Sequence, residues 1–297
     1  MHKTSTYKKS QGEDQKTAQR KAQKKAFSLV ELSVTLLIIG VLVGGIKAGN
    51  YLIKSSAISA ARAVTLASQI NTIPDMIAWY ETSMDGSFVA GQNIDKNQLT
   101  TWYNREPSGF LTQNTMTMSA SPNVVYKAIS TNNLPAVIMT ASGDVSIANF
   151  TNSDSSSSTV VVVFKPTADI TATASILSDS GSTNNSTSSI GIKSTAVSLN
   201  TIDSAATSFV KDRKYILMVH FNGANSNVFV NSTTGLGTID AGTTTLDGFN
   251  LGDRVAAAGI AAEISEVIVY GHPLTDVERK DVFGYLSKKY KIVVAGL

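Results

Sequence analysis

Glu31 is the residue best placed to do chemistry in this chain of 297 residues. It is the single charge in an apolar run from Phe27 to Ile46, and Lys24 and Lys25 stand just before that run. A carboxylate in hydrocarbon costs roughly 2.5–3.5 kcal/mol and is expected to find a partner there. Glu263 and Glu266 are the other carboxylates to weigh. Glycoside hydrolysis needs two such groups ~5–5.5 Å apart, or ~6.5–9.5 Å with a water between. Three positions apart on a strand, their side chains should point to opposite faces, which makes them a poor pair. Glu266 should share a face with Ile264, Ile268 and Tyr270 as a partly buried carboxylate with a structural partner. Trp79 and Trp102 could stack on a sugar or fill a core. His220 lies in an apolar run and His272 in a turn. With three His and no Cys, no transition-metal cluster is expected. Asp144, Asp179, Asp240, Asp247 and Asp253 fall in loops, which leaves calcium open; it takes six to eight oxygen ligands, and no loop has them densely spaced. No Gly-rich phosphate loop and no nucleophile motif is present. The expectation is a protein that is not an enzyme and needs no cofactor.

Three kinds of element must position these residues. About twenty apolar residues from Phe27 match a hydrocarbon core of ~30 Å. One long helix is expected over 27–70, ended by Pro74. Its second half, Lys47 to Gln69, is amphipathic, with Leu52, Ile53, Ala57, Ala60, Ala61, Val64 and Ala67 recurring at helical spacing. Beyond Pro74, Ser, Thr, Asn and Gly become frequent between short β-branched runs. Strands are expected at Val124–Ser130, Pro135–Thr140, Thr159–Lys165, Ser189–Lys193, Val197–Asn200, Lys214–Phe221, Asn227–Asn231, Phe249–Gly252 and Ile260–Tyr270. Short strands with turn residues between them predict an antiparallel β-sandwich. Near the end, Thr275 and Glu278 have capping-box spacing and open a helix to about Tyr290. Val282, Tyr285, Leu286 and Lys289 share one of its faces, which should pack on the sandwich. The fold class is therefore α+β: a long N-terminal hydrophobic helix, a β-sandwich and a C-terminal helix.

Charge is divided unevenly. Residues 1–26 carry eight Lys or Arg against two acidic residues, a net of +6, so the rest sums to −3 within the chain's +3. Basic residues beside a spanning helix favour the cytoplasmic side, so residues beyond about 50 should face outward. The basic block is read as a leader and not as a nucleic-acid patch. Without Cys there is no disulfide framework, and the outward part must hold itself together by its core.

Lys24, Lys25, Phe27, Ser28, Leu29, Val30, Glu31 and Leu32 closely resemble the cleavage and methylation segment of type IV prepilins and type II secretion pseudopilins. The resemblance implies a cut between Ala26 and Phe27, methylation of the new amino group of Phe27, and helices bundled into a filament core. It also implies that Glu31 pairs with the Phe27 amine of a neighbouring subunit. Ala26 stands where that family usually has Gly. A second likeness covers roughly residues 75 to 293. Ala78-Trp79-Tyr80-Glu81, Thr101-Trp102-Tyr103-Asn104, Asn132-Asn133-Leu134-Pro135-Ala136-Val137 and Ala262 to Tyr290 resemble laminin-G/concanavalin-A-like lectin domains, with Asn133 in place of a Gly. This implies a jelly-roll sandwich, with glycan contact at Trp79 and Trp102 as one option.

Together these readings give a leader over 1–26, a pilin-type helix over 27–73 and a lectin-like sandwich over 74–297. The expected function is a structural subunit of a type IV pilus, minor or adhesive. The alternatives are a pseudopilin of a type II secretion system and an anchored jelly-roll carbohydrate-active enzyme. Expected partners are other pilin subunits, the prepilin peptidase/methyltransferase, the inner membrane and glycans or surface ligands. The precursor should lie in the inner membrane with its globular part periplasmic, before joining an extracellular filament.

Overall fold

The computed structural model describes residues 28–107, 114–118, 124–141, 144–147, 150, 157–178, 188–242, 246, 248–252 and 259–297. The chain divides into two compact units between Leu52 and Ile53. This moves the expected boundary at 73/74. Residues from Ile53 onward belong with the sandwich because Ala57, Ile58, Ala61 and Val64 pack into its outer core cluster.

Helix α1 spans Leu29–Leu66. Its apolar residues as far as Ile46 are exposed: Leu29 by 83%, Leu37 by 67% and Val41 by 68%. Side chains this apolar, left uncovered by their own chain, call for a hydrocarbon or protein environment. The helix stops before Pro74. Ser68 turns its N–H and hydroxyl back onto the Thr65 carbonyl, at 3.3 and 2.8 Å, and a 3₁₀ turn follows at Gln69–Thr72. The side-chain bond competes with the helical ladder at that point.

The strands are β1 (Met76–Glu81), β2 (Thr101–Trp102), β3 (Met116–Met118), β4 (Val124–Lys127), β5 (Ala136–Met139), β6 (Asp144–Ile147), β7 (Ser158–Pro166) and β8 (Ala174–Ser178). They continue with β9 (Ile190–Ile192), β10 (Val197–Leu199), β11 (Ile202–Asp203), β12 (Tyr215–Phe221), β13 (Ser226–Val230), β14 (Thr238–Ile239), β15 (Phe249–Gly252) and β16 (Ala262–Tyr270). Helix α2 spans Asp276–Tyr290. All nine expected strands are present with their ends moved by a few residues.

Two antiparallel sheets form the sandwich. One runs β14-β13-β12-β7-β16-β5-β4, with β1 also on β16; the other runs β11-β10-β9-β8-β15-β6-β3-β2. Between them lie Val160, Val162, Phe164, Leu217, Val219, Val267 and Val269 from the first sheet. Ile190, Ile192, Val197, Leu199, Phe249 and Leu251 meet them from the second. The first sheet is also covered on its outer face. There Val161, Val163, Ile216, Met218, Ile268 and Tyr270 pack under Val282, Phe283, Leu286 and Tyr290 of α2. A strand covered on both sides favours apolar residues at consecutive positions, which explains the run Val160-Val161-Val162-Val163.

Helix α2 begins with the expected capping box. Thr275 N–H donates to Glu278 Oε2 at 2.8 Å, and Glu278 N–H donates to Thr275 Oγ1 at 3.4 Å. Just before β5, Asn133 holds φ +59, a left-handed conformation that Gly adopts freely and Asn or Asp more readily than most other residues. This is why Asn can stand where the lectin-like resemblance has Gly. Its neighbour Asn132, at φ +53, donates from Nδ2 to the Lys289 carbonyl at 2.8 Å near the end of α2.

Candidate functional site

The first candidate region is the start of α1. Ala26 and Phe27 lie outside the described residues. Ser28 and Glu31 cap the helix: Ser28 N–H donates to Glu31 Oε2 at 3.0 Å, and Val30 N–H donates to Ser28 Oγ at 3.3 Å. Glu31 is thus the acidic residue of the first turn, where the helix dipole favours a negative charge. It is exposed, and so are Leu29, Val30, Leu32 and Val34 around it.

The second is a fully buried charge cluster beneath α2. Lys289 Nζ lies 2.8 Å from Glu81 Oε2, 2.8 Å from Glu266 Oε2 and 2.9 Å from the Tyr285 hydroxyl. All three charged side chains are 0% exposed. Two carboxylates against one ammonium would leave an uncompensated buried charge, so neutral donors complete the set. Glu266 accepts from Trp79 Nε1 at 2.7 Å, from the Tyr285 hydroxyl at 2.8 Å and from the Tyr290 hydroxyl at 2.7 Å. Glu81 accepts from Ser83 N–H at 2.9 Å, from Ser83 Oγ at 2.7 Å and from Met84 N–H. Burial pushes the Glu81 carboxyl up, but Lys289 and the Ser83 donors outweigh it and hold the group below the usual range. Burial likewise works against the Lys289 ammonium, yet Glu266 and Glu81 hold it charged well above the ordinary lysine value. Held charged between two buried carboxylates, Lys289 clamps β1, β16 and α2 together.

The structure corrects two readings of these residues. Trp79 and Trp102 are 3% and 0% exposed. Trp79 serves Glu266. Trp102 donates to the Glu81 carbonyl at 3.0 Å and stacks on Phe88 at 5.8 Å between ring centres. Neither indole has a free face for a sugar, because both lie within the cores on either side of the first sheet. Glu263 and Glu266 occupy the same outer face. Between Ile264 and Glu266 the β16–β7 register shifts, a bulge at Ser265 that inserts one residue and inverts the alternation. Ile264 therefore faces the inner core, while Glu266 joins Ile268 and Tyr270 outside. Glu263 is held by Lys127 at 2.5 Å and Lys165 at 2.9 Å, with a further bond from Ser130. Burial raises its carboxyl, but the donors from Lys127, Ser130 and Lys165 bring it below the ordinary value. Glu263 is committed to Lys127 and Lys165, and Glu266 to Lys289, so the two share no cation.

On the second sheet, register sets Ser198, Gly191 and Ser175 across β10, β9 and β8, and Ser178 and Asn250 across β8 and β15. Their strand neighbours Ile190, Ile192, Val197, Leu199, Leu177, Phe249 and Leu251 fill the inner core, so this row lies on the opposite face. It is hydroxyl and amide as far as Ser198, which faces Asp203 on β11; that carboxylate accepts from Lys193 Nζ at 2.7 Å.

His220 lies on the outer face of β12, 7% exposed, with its ring centre 4.8 Å from that of Phe229. Burial first, then Arg279 and His272, pushes it down to about 4, and Asp276 only partly opposes them. Its Nε2 has no hydrogen-bond partner. Between pH 6.5 and 4 the unfolded chain therefore binds a proton that the folded chain refuses. Stability falls as pH is lowered through this window, by about 3 kcal/mol in full at 1.36 kcal/mol per pH unit. Urea unfolding at pH 7 and pH 4.5 checks this, and His220→Leu should flatten most of the difference. Of the loop aspartates, Asp179, Asp247 and Asp253 and the side chain of Asp144 lie outside the described residues, and Asp240 accepts from Gly242 N–H at 3.0 Å. No group of three metal-ligating side chains occurs among the described residues.

The prokaryotic N-terminal methylation motif matches residues 21–46. No curated protein matches the sequence. Among solved structures, a mutant Trypanosoma rangeli sialidase displaying trans-sialidase activity is similar at 12% identity and TM-score 0.50, over 80% of this chain and 38% of that one. The binding domain of Paraclostridial Mosquitocidal Protein 1 is similar at 8% identity and TM-score 0.50, over 72% of this chain and 52% of that one. Domain 4 of AbnA, an extracellular arabinanase of Geobacillus stearothermophilus solved with arabinotriose, has 14% identity and TM-score 0.48, over 70% of this chain and 98% of that one. The chain spans well under two thirds of the sialidase, and at such identities the likeness is one of fold alone. The chain thus carries the prokaryotic N-terminal methylation motif of prepilins, followed by an antiparallel β-sandwich.

Proposed function

We propose that the chain is the precursor of a structural subunit of a type IV pilus, of a minor or specialised kind, and that it is not an enzyme. The observation that carries this reading is the methylation segment at the head of a helix whose apolar residues as far as Ile46 are exposed. Such a surface serves first as a membrane anchor and then as a filament core. The basic leader stays on the cytoplasmic side while the sandwich faces the periplasm and later the outside. The peptidase cuts between Ala26 and Phe27, methylates Phe27 and frees the subunit for assembly. The sandwich is larger than a plain filament subunit needs, which supports a specialised one. The separate ion pairs of Glu263 and Glu266 support a non-catalytic role, and the role requires no cofactor.

Mass spectrometry of the mature N-terminus tests the reading. Protein from its native host should begin at a monomethylated Phe27. A chain that keeps residues 1–26 would overturn the proposal.

A further inference from the structure

Within the sandwich unit, the last three turns of α1 and the loop after β1 enclose a cleft of about 290 Å³. Lys54, Ile58 and Arg62, at i, i+4 and i+8, form the stripe of the helix that lines it. Phe88 and Tyr126 lie on the sheet side, and Asp85 stands at the rim.

The charges in the cleft are arranged and not merely near one another. Arg62 donates from Nη1 and Nη2 to the two Asp85 oxygens, at 3.0 and 2.6 Å, and from Nε to the Ser83 carbonyl at 2.7 Å. This fork fixes Asp85 while leaving its carboxylate 86% exposed, so its remaining lone pairs can accept hydroxyl donors. Gly86, at φ +77, turns the chain next to it. Arg62 and Asp85 cancel in charge. Lys54 is half-buried and has no ion-pair partner among the described residues, so the cleft keeps one net positive charge.

We infer that this cleft binds one acidic sugar residue, a hexuronate. The volume lies at the lower end for small-molecule pockets, enough for a single ring and too little for an oligosaccharide. The ring carboxylate pairs with Lys54. Its hydroxyls donate to Asp85, and a C–H face lies against Ile58. A compact inorganic anion gains Lys54 but meets the Asp85 carboxylate as repulsion, and a neutral hexose leaves Lys54 unpaired. The cleft lies in the unit from Ile53 onward and the methylation segment in the other, so binding can be read on a chain that does not polymerise and the two readings can fail independently.

The test is titration calorimetry on the full chain in a sugar-free detergent at low salt. The probes are glucuronate, galacturonate, glucose and inorganic phosphate. One or both uronates should bind at least about tenfold more tightly than glucose or phosphate, a difference of ~1.4 kcal/mol. Lys54→Gln should weaken uronate binding about tenfold and Lys54→Glu should abolish it, while Asp85→Asn should erase the preference for uronate over phosphate. Both positions are at least partly exposed, and unchanged thermal unfolding verifies that the variants fold. Absence of uronate binding, equal binding of phosphate or glucose, or uronate binding indifferent to Lys54 would each overturn the inference.

Discussion

Replacing Lys289 with Met lowers the unfolding free energy by about 3–5 kcal/mol, the cost of removing one partner from a buried ion pair. Native proteins hold only about 5–15 kcal/mol in total, so this single change removes a large part of the protein's stability. Met keeps the length and the packing of the alkyl stem. What goes is the one cation between Glu81 and Glu266, all of them 0% exposed. Neither carboxylate can then reach water, and each must take up a proton or remain charged in an apolar setting. A double-mutant cycle separates this from a simple packing defect. Glu266→Gln alone should cost less, because Lys289 keeps Glu81 and the Gln can still accept from Trp79 and Tyr285. Added to Lys289→Met, it should recover part of the loss. Denaturant unfolding of the full chain measures all three variants. An additive double mutant would mean that the cluster is not coupled.

The damage should extend to α1. The Thr65 and Tyr285 hydroxyls lie 3.2 Å apart, and Tyr285 also donates to Glu266. The cluster therefore ties the end of α1 to β1, β16 and α2 at one point. Loss of Lys289 should raise amide exchange at Thr65 and Ala61 along with that of the sandwich core.

Glu31→Gln should leave membrane insertion intact and cut incorporation into filaments by about tenfold or more, equivalent to losing at least ~1.4 kcal/mol per contact. Insertion should improve if anything, because a carboxylate among Leu29, Val30, Leu32 and Val34 is a cost of roughly 2.5–3.5 kcal/mol. Within the chain Glu31 has a modest local role as acceptor for the Ser28 N–H at 3.0 Å. Gln retains that bond and the side-chain length while losing the charge, so the variant isolates pairing with a neighbour's Phe27 amine from helix capping. Comparing pellets of sheared filaments with membrane fractions gives the readout. Wild-type amounts of the Gln variant in filaments would reduce Glu31 to a cap, and Glu31→Ala would then show only the small deficit of a lost cap, about 1 kcal/mol.

Features that depend on neighbours in sequence were legible from it. The methylation segment, the apolar run, the amphipathic spacing of Ala57, Ala61 and Val64 and the Thr275–Glu278 capping box are each decided within a few residues. So are the β-branched runs that became nine strands. The end of α1 was misplaced because Pro74 is a conspicuous stop, whereas the Ser68 bond to Thr65 is a small local competition.

The tertiary structure alone decided what the buried polar residues do. Glu81, Glu266 and Lys289 meet although Glu81 and Lys289 are 208 positions apart. No local rule links them, because the contact exists only once α2 lies across β1 and β16. The bulge at Ser265 reversed the expected facing of Glu263 and Glu266, since one inserted residue changes the parity of every position after it. The cover of α1 and α2 over the first sheet withdrew Trp79 from solvent, and the packing between the sheets withdrew Trp102. Side-chain type and spacing fix which groups a segment can offer. Whether water, a ligand or another side chain meets them depends on which layers close over that segment, and this is settled by long-range packing.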